Sequence, residues 1–232
     1  MYSVKRADER GVSNYTWLKS FHSFSFGDYF DPEEMNFGSL RVINDDFIAP
    51  GGGFDTHPHA NMEIITYVID GKLEHRDSLG NGRVISAGEF QYMSAGRGVK
   101  HSEFNPSSTD PVHLLQMWIM PRVKNTPPSY AEAATKDISA GQLIEVASGY
   151  PKQGGFRIYQ DCELSIGMVD SDSSIETTLS DGQLGWLQVV TGNCRVAGME
   201  LASGDALKVV QESQLKVESD GPCKFLLFKI QE

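Results

Sequence analysis

The chain has little cysteine: three in 232 residues, at Cys162, Cys194 and Cys223, far apart. So sparse and odd a set fits no disulfide framework and no Cys-x-x-Cys zinc knuckle. Basic residues are also short, with 20 Lys and Arg against 31 Asp and Glu, a net charge of −11 that argues against a grip on phosphate backbones and so against direct nucleic-acid binding. No apolar run reaches the ~20 residues of a membrane span. The start, MYSVKRADER, lacks the apolar stretch of a secretory signal. The expectation is a soluble protein of a reducing, cytoplasmic compartment, without membrane contact. Catalytic motifs of other kinds are missing too. Gly51-Gly52-Gly53 lacks the Lys-Ser/Thr of a phosphate loop, and there is no Gly-x-Ser-x-Gly elbow.

What is present is a β texture. Short runs rich in β-branched and aromatic residues, such as Glu63–Ile69, His113–Met120, Trp186–Val190 and Lys224–Ile230, are bounded by Gly, Asn, Asp or Pro. They predict an all-β sandwich or barrel. Helical periodicity is scarce; residues 129–136 read as a short helix opening at Ser129 after Pro127-Pro128. That Pro-Pro also marks a linker, and the sequence repeats weakly across it. Tyr67–Gly71 recurs as Gln188–Gly192, Ala87–Phe90 as Ser203–Ala206, and Leu114–Met120 has a partner in Phe225–Ile230. Three matches in the same order predict a duplicated barrel, divided as residues 1–123, a linker at 124–136, and 137–232.

All six histidines, at 22, 57, 59, 75, 101 and 113, lie in the first half. His57-Pro58-His59 puts two imidazoles on one side of an extended strand, with Pro58 pointing to an edge. His101-Ser102-Glu103 does the same for an imidazole and a carboxylate. Two such pairs on neighbouring strands can converge on one divalent cation. An N/O shell without thiolates suits iron, manganese, nickel, copper or zinc, and four protein ligands leave coordination positions open for water, substrate or dioxygen. Glu63 is a rival for the carboxylate if no bulge separates it from His59, or an acceptor that orients an imidazole. His75, within Glu74-His75-Arg76-Asp77, reads as a solvated hairpin residue. His113 reads as a packed, hydrogen-bonded core histidine and His22 as structural.

Gly51-(five residues)-His57-x-His59-(three residues)-Glu63 resembles the first cupin motif, and Gly88 to Asn105 the second. More specifically, Phe24-Ser25-Phe26-Gly27-Asp28-Tyr29-Phe30-Asp31-Pro32, Leu40–Asp46, His57 to Gly71, and Met93-Ser94-Ala95-Gly96-x-Gly98-x-x-His101-Ser102-Glu103 resemble the pirin family across residues 20–121. Ser94 stands where general cupins have Pro, and Ala60 lacks a basic side chain common among relatives. The resemblance implies an all-β bicupin, two double-stranded β-helix (jelly-roll) barrels with short helices and metal in the first alone. It implies one ion, usually Fe(II), with Ni, Mn, Cu, Co or Zn as alternatives, on His57, His59, His101 and Glu103, with Glu103 chosen over Glu63. It further implies a quercetinase, opening flavonols with dioxygen and releasing carbon monoxide, with Glu103 as ligand and general base. The alternative is a metal-sensing regulator acting through a protein partner. A cavity of roughly 300 Å³ or more at the metal would separate the two.

Overall fold

The computed structural model describes residues 1–135, 138–152 and 154–231. Strand β1 (Tyr2–Lys5) and a 3-10 turn (Ala7–Glu9) come first. Then follow β2 (Gly11–Asn14), β3 (Leu18–His22), β4 (Leu40–Ile48), β5 (Gly53–His59), β6 (Glu63–Asp70) and β7 (Lys72–Asp77). The series continues with β8 (Gly82–Ser86), β9 (Glu89–Ser94), β10 (Val99–Phe104), β11 (Val112–Ile119) and β12 (Ser129–Ala134). The expected all-β, duplicated architecture is what the chain adopts. Short helices, in contrast, are reduced to that single 3-10 turn among the described residues. None is long and apolar enough to cross a membrane.

Two compact units divide the chain. The first comprises Gly11–Lys136 with Ile158–Gln160. Its larger sheet runs β12-β9-β6-β11-β4-β3-β2 and its smaller one β5-β10-β7-β8. Alternation along each strand sends every second side chain inward. Leu18, Ile48, Val68, Val112 and Leu114 of the larger sheet thereby meet Leu73 and Ile85 of the smaller in one apolar cluster. Ile64, Met93, Ala95 and Val99 form another. The remaining in-phase positions are polar and buried: Asp46, Thr66, His75, Gln91, His101, Glu103 and Gln116. Burying so many polar groups is costly unless they are paired or hold something, so this belt is where function is to be sought.

The second unit comprises Met1–Arg10, Asp137–Arg157 and Asp161–Glu232. Its two sheets enclose an apolar core that includes Leu187, Val189, Leu207, Phe225 and Leu227. The duplication shows in the turns. Gly71 and Gly192 both have φ +79°, and a Cβ on either would strike a proline carbonyl oxygen, of Pro111 at 2.6 Å and Pro222 at 2.1 Å. Only glycine meets both demands, which is why the repeat keeps it.

The boundaries differ from the expected ones at both ends. β1 pairs antiparallel with Ala206–Val209 of the second unit, and Arg6 Nη1 and the Ala7 amide each donate to the Asp205 carboxylate at 2.8 Å. Ile158–Gln160 belongs to the first unit, where Gln160 Nε2 donates to the Met120 carbonyl at 2.7 Å. The stretch read as linker and helix contains β12, paired with β9 from Ser129↔Ser94 to Ala134↔Glu89; Lys136 lies outside the described residues. The Ala and Glu of this segment are good helix formers, but intrinsic propensity is small beside tertiary pairing. Strand pairing, an Arg83–Glu132 ion pair at 2.9 Å and stacking of Tyr130 on His75 at 5.0 Å decide the matter.

Candidate metal centre

β5 is an edge strand of the smaller sheet, which accommodates Pro58 without losing a ladder bond. Its neighbour β10 pairs His101 with His57 and Val99 with His59, then slips register before Glu103. The bulge leaves His101 and Glu103 on the same inner face, because β10 stays in regular register with β7 on its other side. The donor atoms of His57, His59 and His101 lie within 4.8 Å of one another. Ring centroids are 4.8 Å apart for His57–His59, 4.5 Å for His57–His101 and 4.9 Å for His59–His101. Glu103 joins through His101, in a second donor set made of His75, His101 and Glu103. Thus the three imidazoles meet directly, and the carboxylate stands beside them on the buried side.

Protonation favours ligation. His57 Nδ1 donates to the Asp55 carbonyl at 2.7 Å, leaving Nε2 with its lone pair. Burial, reinforced by the neighbouring imidazoles, holds His59 down at about 4 and His101 at about 3. Both rings are therefore neutral at pH 7, the form that binds a cation. His101 Nδ1 and Nε2 and Glu103 Oε1 are buried and have no hydrogen-bond partner among the described residues. Each such orphan costs about 1–3 kcal/mol, and a cation would satisfy one His101 nitrogen together with Glu103 Oε1. The residues present fit a metal ion. Glu103 Oε2 is occupied, accepting from Gln116 Nε2 at 2.7 Å.

The other histidines and Glu63 sort differently. Glu63 lies after Asn61, whose φ of +52° breaks the phase set by His57 and His59. Its carboxylate turns to the opposite face, accepting from Tyr92 Oη, from Ser94 Oγ at 2.9 Å and from the Tyr159 amide at 3.4 Å. It neither joins the donor sets nor orients an imidazole. His22 is structural, donating from Nδ1 to Asn44 Oδ1 at 2.8 Å. His113 is only half-buried, on the outer face, stacked on Phe47 at 3.9 Å and donating to Asp45 at 2.6 Å.

His75 departs furthest from expectation. It is fully buried rather than solvated. It pairs across the strand with Glu103 and stands 5.3 Å from the His101 ring. Gln91 Nε2 donates to its Nδ1 at 2.8 Å and its Nε2 donates to Asp77 at 3.3 Å. Leu73, His75 and Asp77 face inward while Lys72, Glu74 and Arg76 face out, an i, i+2 alternation visible in the sequence behind the run of charge. His75→Ala empties this site and strands Gln91 and Asp77. It is expected to cost about 2–4 kcal/mol in denaturant unfolding of the metal-free protein. A loss below roughly 0.5 kcal/mol, the range of an ordinary surface substitution, would contradict the assignment.

A cavity of about 600 Å³ opens beside His59, lined also by Pro58, Ala60, Ser78, Gly98, Val99 and Lys100. His59 is the candidate ligand on its wall.

Known proteins are similar to this chain. Residues 4–119 match the Pirin family, and residues 145–230 match the family described as Quercetinase C-terminal cupin domain. The chain is 42% identical over 231 residues to the quercetin 2,3-dioxygenase of Escherichia coli K12, covering 99% of each. It superposes on the crystal structure of the bacterial pirin YhhW from Escherichia coli in complex with nickel(II) with TM-score 0.95 and 41% identity, covering 100% of this chain and 99% of that one. A quercetin 2,3-dioxygenase structure from Acinetobacter baumannii shares the fold at TM-score 0.79 and 21% identity, covering 99% of this chain and 85% of that one. Sequence and structure together place this chain in the pirin family.

Proposed function

We propose that the protein is a metal-dependent dioxygenase that opens quercetin-like flavonols with dioxygen and releases carbon monoxide. One ion, iron(II) or another of the divalent series Ni, Mn, Cu, Co and Zn, is held by His57, His59, His101 and Glu103. The observation that carries this reading is the convergence of the His57, His59 and His101 donor atoms, with His101, whose ring nitrogens are unpartnered, linking them to the free Glu103 Oε1 in an overlapping donor set. The relatives named quercetin 2,3-dioxygenase support the reaction class, and the nickel complex of a relative supports a metal at this centre.

When bound, such an ion supplies Lewis acidity toward a phenolic oxygen and a site for dioxygen chemistry. The chain's own residues do the rest. Glu103 is the base that takes the flavonol hydroxyl proton, while Gln116 holds its Oε2. Burial of Glu103 and His101 keeps water from the inner side. Half-exposed His57 and His59 leave the outer side accessible. The cavity beside His59, at about 600 Å³, exceeds the roughly 300 Å³ a flavonol needs, which favours an enzyme over a regulator acting through a protein partner.

The test is anaerobic mixing of metal-loaded protein with quercetin, followed by oxygen. Bleaching of the flavonol absorption band with release of carbon monoxide is expected. Protein loaded in turn with iron, nickel, manganese, copper and cobalt that does neither overturns the proposal.

A further inference from the structure

Glu103 is held asymmetrically. Oε2 accepts from Gln116 Nε2 at 2.7 Å, and Oε1 has no partner among the described residues. The two ends of the Gln116 amide are alike in shape, so something must decide which faces the carboxylate. Trp118 decides it. Its indole Nε1–H can only donate, and it lies 3.2 Å from Gln116 Oε1. The amide carbonyl is thereby held toward Trp118 and the NH2 toward Glu103. Gln116 and Trp118 are two apart on β11 and share its inner face, so one strand carries the whole device.

Trp118 also reaches the other side of the centre. Its ring meets His59 edge to face with centroids 5.0 Å apart, and Phe26 packs edge-on against it at 5.4 Å. His59 on β5 and Glu103 on β10, both in the smaller sheet, are thus referenced to a single strand of the facing sheet. Gln188, a buried glutamine of the second unit, does nothing similar: its Nε2 donates to the carbonyls of Gly204 and Asp205 at 3.1 and 3.2 Å.

We infer that Gln116, oriented by Trp118, is a positioning residue that compels Glu103 to offer an ion one oxygen rather than two. This rests on the reading of Glu103 as a ligand. By tying up Oε2 it keeps the carboxylate from closing on the ion with both oxygens, which leaves a coordination position for substrate. Groups that hydrogen-bond and orient a metal ligand usually contribute ~10–100-fold to metal affinity.

Three full-length variants test it: Gln116→Leu, Trp118→Phe, which keeps the ring on His59 but loses the N–H, and Gln188→Leu as a control. Nickel(II) affinity is measured by chelator competition, and the visible spectrum is recorded for the cobalt(II)-loaded proteins. Gln116→Leu is expected to weaken nickel binding by ~10–100-fold and to lower the cobalt band intensity as coordination number rises. Trp118→Phe should move both readouts the same way by less, and Gln188→Leu should move neither. Gln116→Leu with wild-type nickel affinity and cobalt spectrum overturns the inference. Should that variant not fold, an unchanged Trp118→Phe does so by the same two readouts. Wild-type protein that takes up no nickel refutes instead the metal reading on which the inference stands.

Discussion

His101→Ala should abolish metal uptake. His101 belongs to both donor sets, with ring contacts to His57, His59 and His75 and a shared set with Glu103. Without it, His57 and His59 are left as two half-exposed imidazoles on an edge strand, cut off from the buried carboxylate. Two neutral ligands near solvent hold a divalent ion far more weakly than three and an anion, so a loss of at least ~100-fold in affinity is expected. Metal content after loading and desalting, determined by elemental analysis, is the measurement. His113→Ala, on the outer face of the same barrel, is the control and should load normally. Equal metal in the two variants would remove His101 from the centre.

Acidification of the metal-free protein should destabilise it well above the range where carboxylates ordinarily titrate. His59 and His101 sit at about 4 and about 3 in the folded state, against an ordinary imidazole value near 6.5. Between pH 6.5 and 4 the unfolded chain therefore binds protons on both rings that the folded chain refuses. Stability rises with pH through that window and is lost as pH falls. Asp46 acts in the opposite sense. Burial pushes it up to about 7, so the folded state holds a proton there that an unfolded aspartate releases near 4. Glu63, also raised by its burial, adds to this opposition closer to its ordinary range. Two protons against one leave a net slope of about 1.4 kcal/mol per pH unit at most below pH 6.5. Asp46→Asn removes the opposition, so its slope should be about twice as steep, and the variant should be more stable than wild type above pH 7. Denaturant unfolding at pH 4.5, 5.5, 6.5 and 7.5 reads both. A flat wild-type profile with no difference in Asp46→Asn contradicts the account.

Which parts of this were legible beforehand follows from what strands reveal about themselves. The alternation of His57-x-His59 and His101-x-Glu103 is local, so the facing of each pair could be read directly, and neighbouring β5 and β10 then bring the imidazoles together. Glu63 was legible only up to its phase, which Asn61 shifts by a backbone conformation that no pattern of apolar residues betrays. His75 was hidden by Glu74, Arg76 and Asp77: three charged neighbours suggest solvent, yet a strand separates neighbours onto opposite faces. Gln116 carried no signal, since an amide between Leu115 and Met117 resembles any strand position until the carboxylate it meets is known. β12 carries a helical signal because alanine-rich segments favour helices in isolation, while its partner β9 lies some distance back in the chain.

The pairing of β1 with the second unit, and of Ile158–Gln160 with the first, bears on how the chain can be dissected. A cut near residue 137 would not yield two self-sufficient fragments. The carboxyl-terminal piece would lose an edge strand together with the partners of Asp205. The amino-terminal piece would lose the Tyr159 amide that meets Glu63. Each fragment would need a short peptide from the other side of the cut, so neither barrel is encoded by one contiguous half of the polypeptide.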